Sequence, residues 1–286
     1  MVERIKMRVA VTGAAGLFGH ALVAAFSSRH KVFPLTRADA DITDADSVRS
    51  LLERIRPEVV VHPAGIPDLD IADADPARAY LVNVEGTRHV CEAARSIRAE
   101  VVYISTDAVF KGQNSRPYIE SDPPDPITVY GETKLAGEAI VQTLLEHWIF
   151  RVSVLFGPGK TNFVEKGLRK IAAGEQYIVA ADQEACATYT LDAGYKIMEV
   201  VEARRYGLYH LANQGACTRY ELARRAAELA GMDPAKIVGV PAEQMGRRAP
   251  RLKYAVMEMA ALRAAGFSLP RPWPDALADY LRTISF

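Results

Sequence analysis

Residues 7–28 read MRVAVTGAAGLFGHALVAAFSS. The opening run, Met7 to Gly13, is short and apolar, as a buried strand is, and GHALVAAFSS after it carries a helical pattern. Between them Gly13, Gly16 and Gly19 recur at three-residue intervals. Glycines let the backbone turn tightly and lie close to a ligand, and the helix start behind them offers unbonded N–H groups and a partial positive charge. A bare glycine triplet is only a tight turn. Placed between a strand and a helix, it is the pattern that cradles a dinucleotide pyrophosphate. The cofactor-binding candidates of this turn are Gly13, Ala15, Gly16, Leu17, Phe18 and Gly19.

Outward from this turn, apolar runs alternate with helical patterns. KVFPLT reads as a second strand and DADSVRSLLERI as a second helix, with Asp44 as its N-cap. PEVVVHPAG reads as a third strand, DPARAYLVNVEGTRHVCEAARS as one long amphipathic helix and AEVVYISTD as a fourth strand. A polar, proline-rich loop (KGQNSRPYIESDPPDP) leads to the helix that holds Tyr130, and WIFRVSVLFG reads as a fifth strand. The alternation predicts an α/β fold with a parallel sheet covered on both faces. After Gly157 the rhythm loosens: FVEKGLRKIAAG, LDAGYKIMEVVEA and TRYELARRAAELAG read as helices, between the strand candidates QYIVA, GLYHLA and KIVGV. The expected division is a dinucleotide-binding domain over 1–157 and a smaller, mainly substrate-binding region over 158–286, interleaved with the first.

The chain has 286 residues, with 35 Lys+Arg balanced by 35 Asp+Glu. That balance argues against nucleic acid or an anionic membrane as partner. No apolar run approaches the roughly 20 residues of a membrane span. The first residues run straight into a strand without the form of a signal peptide. Cys91, Cys186 and Cys217 are far apart and odd in number, which fits reduced thiols and a cytoplasmic location. The six histidines are scattered without metal-ligand spacing, so no metal centre is expected.

The tip of the second strand is where such folds read the adenosine ribose: an acid there favours NAD, and an arginine accommodates a 2′-phosphate. Here the chain reads PLTRADADITD, with Arg37 at the tip and no acid. Arg37 therefore points to NADP, with NAD as the alternative if this arginine is only a solvated surface residue. Asp41 and Ile42 are placed to flank the adenine, although Asp41 serves equally well as a helix cap.

The stretch YGETKLAGE (residues 130–138) puts Tyr130 and Lys134 on one helical face. A nearby ammonium favours phenolate over phenol, so the pair is expected to bring the Tyr130 pKa down and make it a tuned proton donor or acceptor. Ser105-Thr106-Asp107 ends the fourth strand, where ligands of open parallel sheets bind. The Thr106 hydroxyl can hold a substrate oxygen next to Tyr130.

Together these residues resemble the extended short-chain dehydrogenase/reductase superfamily and, within it, the dTDP-4-dehydrorhamnose reductases. The resemblance runs over nearly the whole chain, through VTGAAGLFG, RADADITD, RPEVVVHPAG, VNVEGT, ISTDAVFKG, PITVYGETKLAGE, FRVSVLFG, NFV, DQEACATYTLD and GLYHLANQGACTRYELA. It implies a Rossmann-type doubly wound sheet with a smaller C-terminal substrate-binding region. It further implies that Thr106 orients a substrate carbonyl, Tyr130 protonates the oxygen formed, and Lys134 supports both Tyr130 and the nicotinamide ribose. By the same resemblance Asn83 supports the active-site backbone, and Ala64 and Gly65 border the cofactor. The chain departs from the family pattern at Ala108, where an aromatic is usual, at Ala185 and Ala187, and over Arg247 to Met257. These departures touch the substrate side more than the chemistry. His62, just before the Ala64-Gly65 pair, reads as a strand-end core residue rather than an acid.

The leading expectation is an NADPH-dependent reductase of a nucleotide-linked 4-keto-6-deoxyhexose. The alternatives are an NAD-dependent nucleotide-sugar epimerase or dehydratase, and a non-catalytic dinucleotide-binding regulatory subunit. The expected partner is a nucleotide sugar, with Arg247, Arg248 or Arg251 reaching a phosphate. The two long helices of the first half could also pair in a homodimer.

Overall fold

The computed structural model describes residues 6–284. The first five residues, including those on which the absence of a signal peptide was read, lie outside the described residues.

The first strand, β1 (Arg8–Val11), has Val9, Ala10 and Val11 wholly buried. It turns through the glycines into α1 (Leu17–Ser27) and returns as β2 (Lys31–Pro34). There follow α2 (Ala45–Ile55), β3 (Val59–His62), α3 (Leu69–Ala74), α4 (Pro76–Tyr80), α5 (Gly86–Ser96), β4 (Glu100–Thr106), α6 (Val129–Val141) and β5 (His147–Val152). Asp44 caps α2 as read from the sequence, its carboxylate accepting from the N–H groups of Asp46 and Ser47 at 3.1 Å. Beyond β5 lie β6 (Leu155–Phe156), α7 (Phe163–Ala172), β7 (Tyr177–Ala180), β8 (Glu184–Cys186), β9 (Thr188–Tyr189), α8 (Thr190–Glu202), β10 (Gly207–Leu211), β11 (Ala216–Thr218) and α9 (Arg219–Leu229).

The large sheet has six strands in the order β10-β5-β4-β3-β1-β2, every pair parallel. Alternate residues feed two cores. Val9, Val11, Val59, Val61, Trp148 and Phe150 face the layer that holds Phe18, Leu22 and Ile197. Ala10, Val60, Tyr103 and Ile149 face the opposite layer, with Leu51, Leu52 and Val90. Helices on both faces explain why β3 is apolar almost throughout rather than alternating. β10 and α8 come from beyond Gly157, yet β10 pairs with β5 and α8 packs on α1 so closely that a β-carbon on Gly194 would stand 3.1 Å from the Ala21 carbonyl oxygen.

A third core around Phe156, Leu168, Ile171, Leu222 and Tyr280 belongs to the smaller lobe. Its strands pair in short sets: β8 lies between β11 and Tyr254–Ala255, and β7 pairs with Ile237–Val240.

Two elements differ from the sequence reading. The fifth strand is not continuous from Trp148 to Gly157. β5 stops at Val152, and β6 pairs instead with β9, so the chain leaves the large sheet at Ser153 and Val154 to enter the smaller lobe. The long helix read over residues 75–96 is broken by a π-turn at Leu81–Glu85, with Asn83 in it. Such turns favour functional sites.

The strand order reverses between β1 and β3, and the carboxyl ends there open a crevice. The glycine turn shapes its floor. Gly13 has φ +58°, and a β-carbon on it would lie 2.9 Å from the Ala64 Cα. A β-carbon on Gly19 would lie 2.1 Å from the Gly13 carbonyl oxygen, and that neighbour is backbone. Gly19→Ala is therefore expected to destabilise the protein by about 1–3 kcal/mol, the range for forcing extra volume into a packed site. Urea unfolding measures this, and an unchanged midpoint would contradict the packing described.

Candidate active site

The crevice is a cleft of about 970 Å³ running from the glycine turn to the carboxyl ends of β4 and β5. Its wall brings together Gly13, the run Ala15–Gly19, Arg37, Asp41, Ile42, Ala64 and Gly65 at one end, and Thr106, Tyr130 and Lys134 at the other. Gly16 caps α1 without any side-chain bond, and the first intrahelical bond into this end is His20 N to Gly16 O at 3.0 Å. The N–H groups of Leu17, Phe18 and Gly19 thus begin the helix without intrahelical acceptors. A turn in which a single β-carbon would collide with backbone, opening on unbonded helix N–H groups, fits a pyrophosphate.

Asn83 stands behind this wall. Its Oδ1 accepts from Ile66 N at 2.7 Å, and its Nδ2 donates to Ile66 O at 3.2 Å and to Thr133 Oγ1 at 3.0 Å. One amide side chain in the π-turn therefore holds both the loop after β3 and the helix of Tyr130. Arg37 has 77 % of its side chain exposed at the cleft rim, with Nη2 2.8 Å from Asp41 Oδ2. Asp41 also accepts from Thr43 N at 3.0 Å and Thr43 Oγ1 at 2.8 Å, and these bonds, with Arg37 behind them, lower its pKa. Asp41 caps no helix here; Asp44 does.

At the other end, Thr128 caps α6 by accepting from Gly131 N at 2.9 Å, which fixes the first turn, where Tyr130 sits. Tyr130 and Thr106 line the same end of the cleft, and both border the adjoining recess. Thr106 Oγ1 donates to Asp107 Oδ1 at 2.9 Å and accepts from Ala108 N at 3.1 Å, and Asp107 Oδ2 accepts from Ser153 Oγ. Burial raises the Asp107 pKa against the opposing effect of these bonds.

The expected lowering of the Tyr130 pKa is not what the structure shows. Burial pushes the phenol up; the neighbouring Thr106 hydroxyl opposes this and the Asp107 charge adds to it. The ammonium of Lys134 lies 3.8 Å from the centre of the Tyr103 ring. Lys134 is itself pushed down to about 7 by burial, with Glu138 opposing. Lying over the Tyr103 ring, the Lys134 ammonium is not among the charges that act on the Tyr130 phenol.

His62 is a core residue, as read from the sequence, but a polar one. Its Nδ1 is 2.8 Å from Thr12 Oγ1 and its Nε2 3.2 Å from Thr87 Oγ1. Thr87 Oγ1 donates to Asn83 O at 2.7 Å, so His62 Nε2 must donate to Thr87 and Nδ1 accept from Thr12. The ring is neutral, its pKa lowered to about 3 by burial first and Lys134 second.

The sequence reading assigned no role to Asp107, Ser153 or Arg219. Asp107 was visible in the Ser-Thr-Asp triplet. Arg219 follows the N-cap of α9 and had no signal. It lines both the cleft and an adjoining recess of about 100 Å³ that also touches Thr106, Asp107 and Tyr130. Of Arg247, Arg248 and Arg251, two pair with acids of α3, and Arg251 also lines the recess beside Arg219. Arg248 Nε lies 2.9 Å from Asp73 Oδ2, and Arg251 Nη2 lies 2.9 Å from Asp70 Oδ2. Arg247 is exposed and close enough to Arg219 to lower its pKa, after burial. Among the described residues no group of His, Cys, Asp and Glu could hold a metal ion, and no helix is long and apolar enough to cross a membrane.

His62 and His210 both have pKa values near 3, burial being the first cause in each. The unfolded chain binds more protons than the folded one between pH 3 and 6.5, so stability falls as pH falls through that window. Each histidine contributes up to about 1.4 kcal/mol per pH unit. Urea unfolding at pH 7 and pH 4.5 should show this loss, with a shallower dependence for His62→Gln. An equal dependence in the variant would show that His62 is not held neutral.

Comparison with known proteins adds three findings. The family described as RmlD substrate binding domain matches residues 7–286. A dTDP-4-dehydrorhamnose reductase of Streptomyces griseus is 38 % identical over 94 % of this chain and 91 % of that relative, and the spore coat polysaccharide biosynthesis protein SpsK of Bacillus subtilis is 35 % identical over 96 % and 97 %. The crystal structure of dTDP-4-dehydrorhamnose reductase from Bacillus anthracis in complex with NADP superimposes with a TM-score of 0.94 at 33 % identity, covering 98 % of this chain and all of that one.

Proposed function

The chain belongs to the RmlD substrate binding domain family, and on that premise we propose that it is an NADPH-dependent reductase of a nucleotide-linked 4-keto-6-deoxyhexose. One observation carries the reading: Thr106, Tyr130 and Lys134 share one cleft with the glycine turn. The S. griseus relative is named for this activity, and the B. anthracis structure holds NADP.

The N–H groups of Leu17 to Gly19 would take the pyrophosphate, and Arg37, steadied by Asp41, the 2′-phosphate. Bound there, NADPH supplies the hydride. The chain's own part is to place the ketone and deliver a proton. A ketone oxygen arriving in the recess, which Thr106 and Tyr130 both border, would accept from the Tyr130 hydroxyl. The Tyr130 phenol, its pKa raised by burial, is protonated at neutral pH and is the proton donor this set offers. Asp107 and Ser153 hold Thr106 in place. Arg219 stands where the cleft meets the recess and suits the diphosphate of the sugar nucleotide. Residues beyond Gly157 would supply most of the sugar side. Ile71, Tyr80 and Leu81, exposed on α3 and its neighbours, suit a homodimer.

The direct test is NADPH oxidation with dTDP-4-keto-6-deoxyhexoses. Tyr130→Phe should lower kcat by roughly 10²- to 10⁴-fold, as loss of a general acid does, with cofactor affinity kept. Unchanged turnover in that variant would remove Tyr130 from the chemistry.

Arg37→Ala should weaken NADPH binding by about tenfold or more while leaving NADH binding unchanged, since a charge-assisted bond to phosphate contributes 1.5–3 kcal/mol. Fluorescence titration with both cofactors decides this. Equal losses for the two would place the 2′-phosphate elsewhere, and NAD retained by the purified protein would favour the epimerase or dehydratase alternative.

A further inference from the structure

Glu138 lies one helical turn beyond Lys134 and two beyond Tyr130, on the same stripe of α6. It is buried, and its side chain holds three bonds to two strands. Oε1 accepts from Ser105 Oγ at 2.5 Å and from Arg151 Nε at 2.9 Å, and Oε2 accepts from Arg151 Nη2 at 2.7 Å. Ser105 and Arg151 are direct cross-strand partners on β4 and β5. Ser105 immediately precedes Thr106, so one carboxylate joins the helix of the phenol and the ammonium to the strand end of the alcohol.

The pair is poorly explained as a stability device. The Glu138 and Arg151 side chains are 2 % and 4 % exposed, and a buried ion pair seldom repays its desolvation. Arg151 Nη1 is buried with no hydrogen-bond acceptor among the described residues, so the arrangement is not optimised for that purpose. Its position relative to Lys134 is what distinguishes it. Around that ammonium stand the Tyr103 ring from β4, neutral His62 from β3 and Glu138 from its own helix, with Arg151 from β5 behind Glu138. Asp107, at the end of β4, engages Thr106 and Ser153. Of these groups Glu138 is the anion that acts on Lys134.

We infer that Glu138 is a positioning residue for the proton-transfer set: it pins α6 to the end of β4 and supplies the negative charge that keeps the Lys134 ammonium protonated. Removing that charge would leave a lysine that burial already brings to about 7 without the one charge that opposes burial. Lys134 would then lose its proton at lower pH.

The inference rests on the reductase reading, but one of its tests does not. In the cofactor-free protein, the titration of Lys134 is followed by NMR of 15N/13C-labelled lysine, with Lys134→Met assigning the signal. The Lys134 midpoint should move to lower pH in Glu138→Gln. With NADPH and a nucleotide-linked ketosugar, the same variant should lose on the order of 10- to 100-fold in kcat, the scale of a roughly 1 Å misplacement, and the alkaline limb of its pH profile should move the same way. Ser105→Ala removes a tether but no charge, so kcat should fall while the limb stays. Should Glu138→Gln not fold, the double variant Glu138→Leu/Arg151→Met removes both charges, and a smaller shift in the same direction is expected. An unmoved midpoint in a folded variant overturns the charge role, and full turnover in Ser105→Ala overturns the tether. A wild type inert toward every nucleotide-linked ketosugar defeats the reductase reading alone, because the Lys134 titration uses no substrate.

Discussion

The carbonyl oxygen of Gly13 occupies the place that a β-carbon on Gly19 would need. This contact lets β1 turn into α1 with no side chain in the bend, and the rest of the site is arranged around it. It aims the start of α1 into the crevice and brings the Gly13 backbone against Ala64 at the end of β3. With β1 and β3 as neighbours and the strand order reversing between them, the crevice opens where a parallel sheet offers its carboxyl ends. The same ends carry Thr106 on β4 and Ser153 just past β5.

At the far end of the cleft the controlling influence is burial. It raises the pKa of Tyr130, lowers that of Lys134 to about 7 and raises that of Asp107. Each shift favours the neutral form, which leaves a protonated phenol at hand. A set of this kind suits delivery of a proton to an oxygen that becomes anionic during reduction. The ammonium, in contact with the Tyr103 ring and facing Glu138, is better placed to tune and to hold than to exchange protons itself.

Much of this could be read from local signals. The glycine spacing after an apolar run marks the turn, Asp44 before a helical pattern marks a cap, and the four-residue spacing of Tyr130 and Lys134 puts them on one face. What could not be read depends on partners distant in the chain. β6 leaves the large sheet because its ladder partner is Thr188–Tyr189, and nothing near Leu155 announces that. The π-turn around Asn83 differs from an α-helix by one hydrogen-bond step, which composition does not encode. The ion pairs of Arg248 with Asp73 and of Arg251 with Asp70, some 180 residues earlier, are equally invisible along the chain. The direction of the Tyr130 shift was misread for the same reason: spacing along a helix reveals a neighbour, whereas desolvation comes from the whole packed surround.

The central claim is that one cleft seats a pyridine dinucleotide with its reactive ring beside Tyr130, Thr106 and Lys134. A crystal structure of the protein soaked with NADPH and a nucleoside diphosphate tests it most directly. The account predicts the pyrophosphate on the N–H groups of Leu17 to Gly19, the 2′-phosphate at Arg37, the nicotinamide next to the Tyr130 hydroxyl and the nucleoside diphosphate against Arg219. A dinucleotide bound away from the glycine turn, or a nicotinamide out of reach of Tyr130, would contradict it.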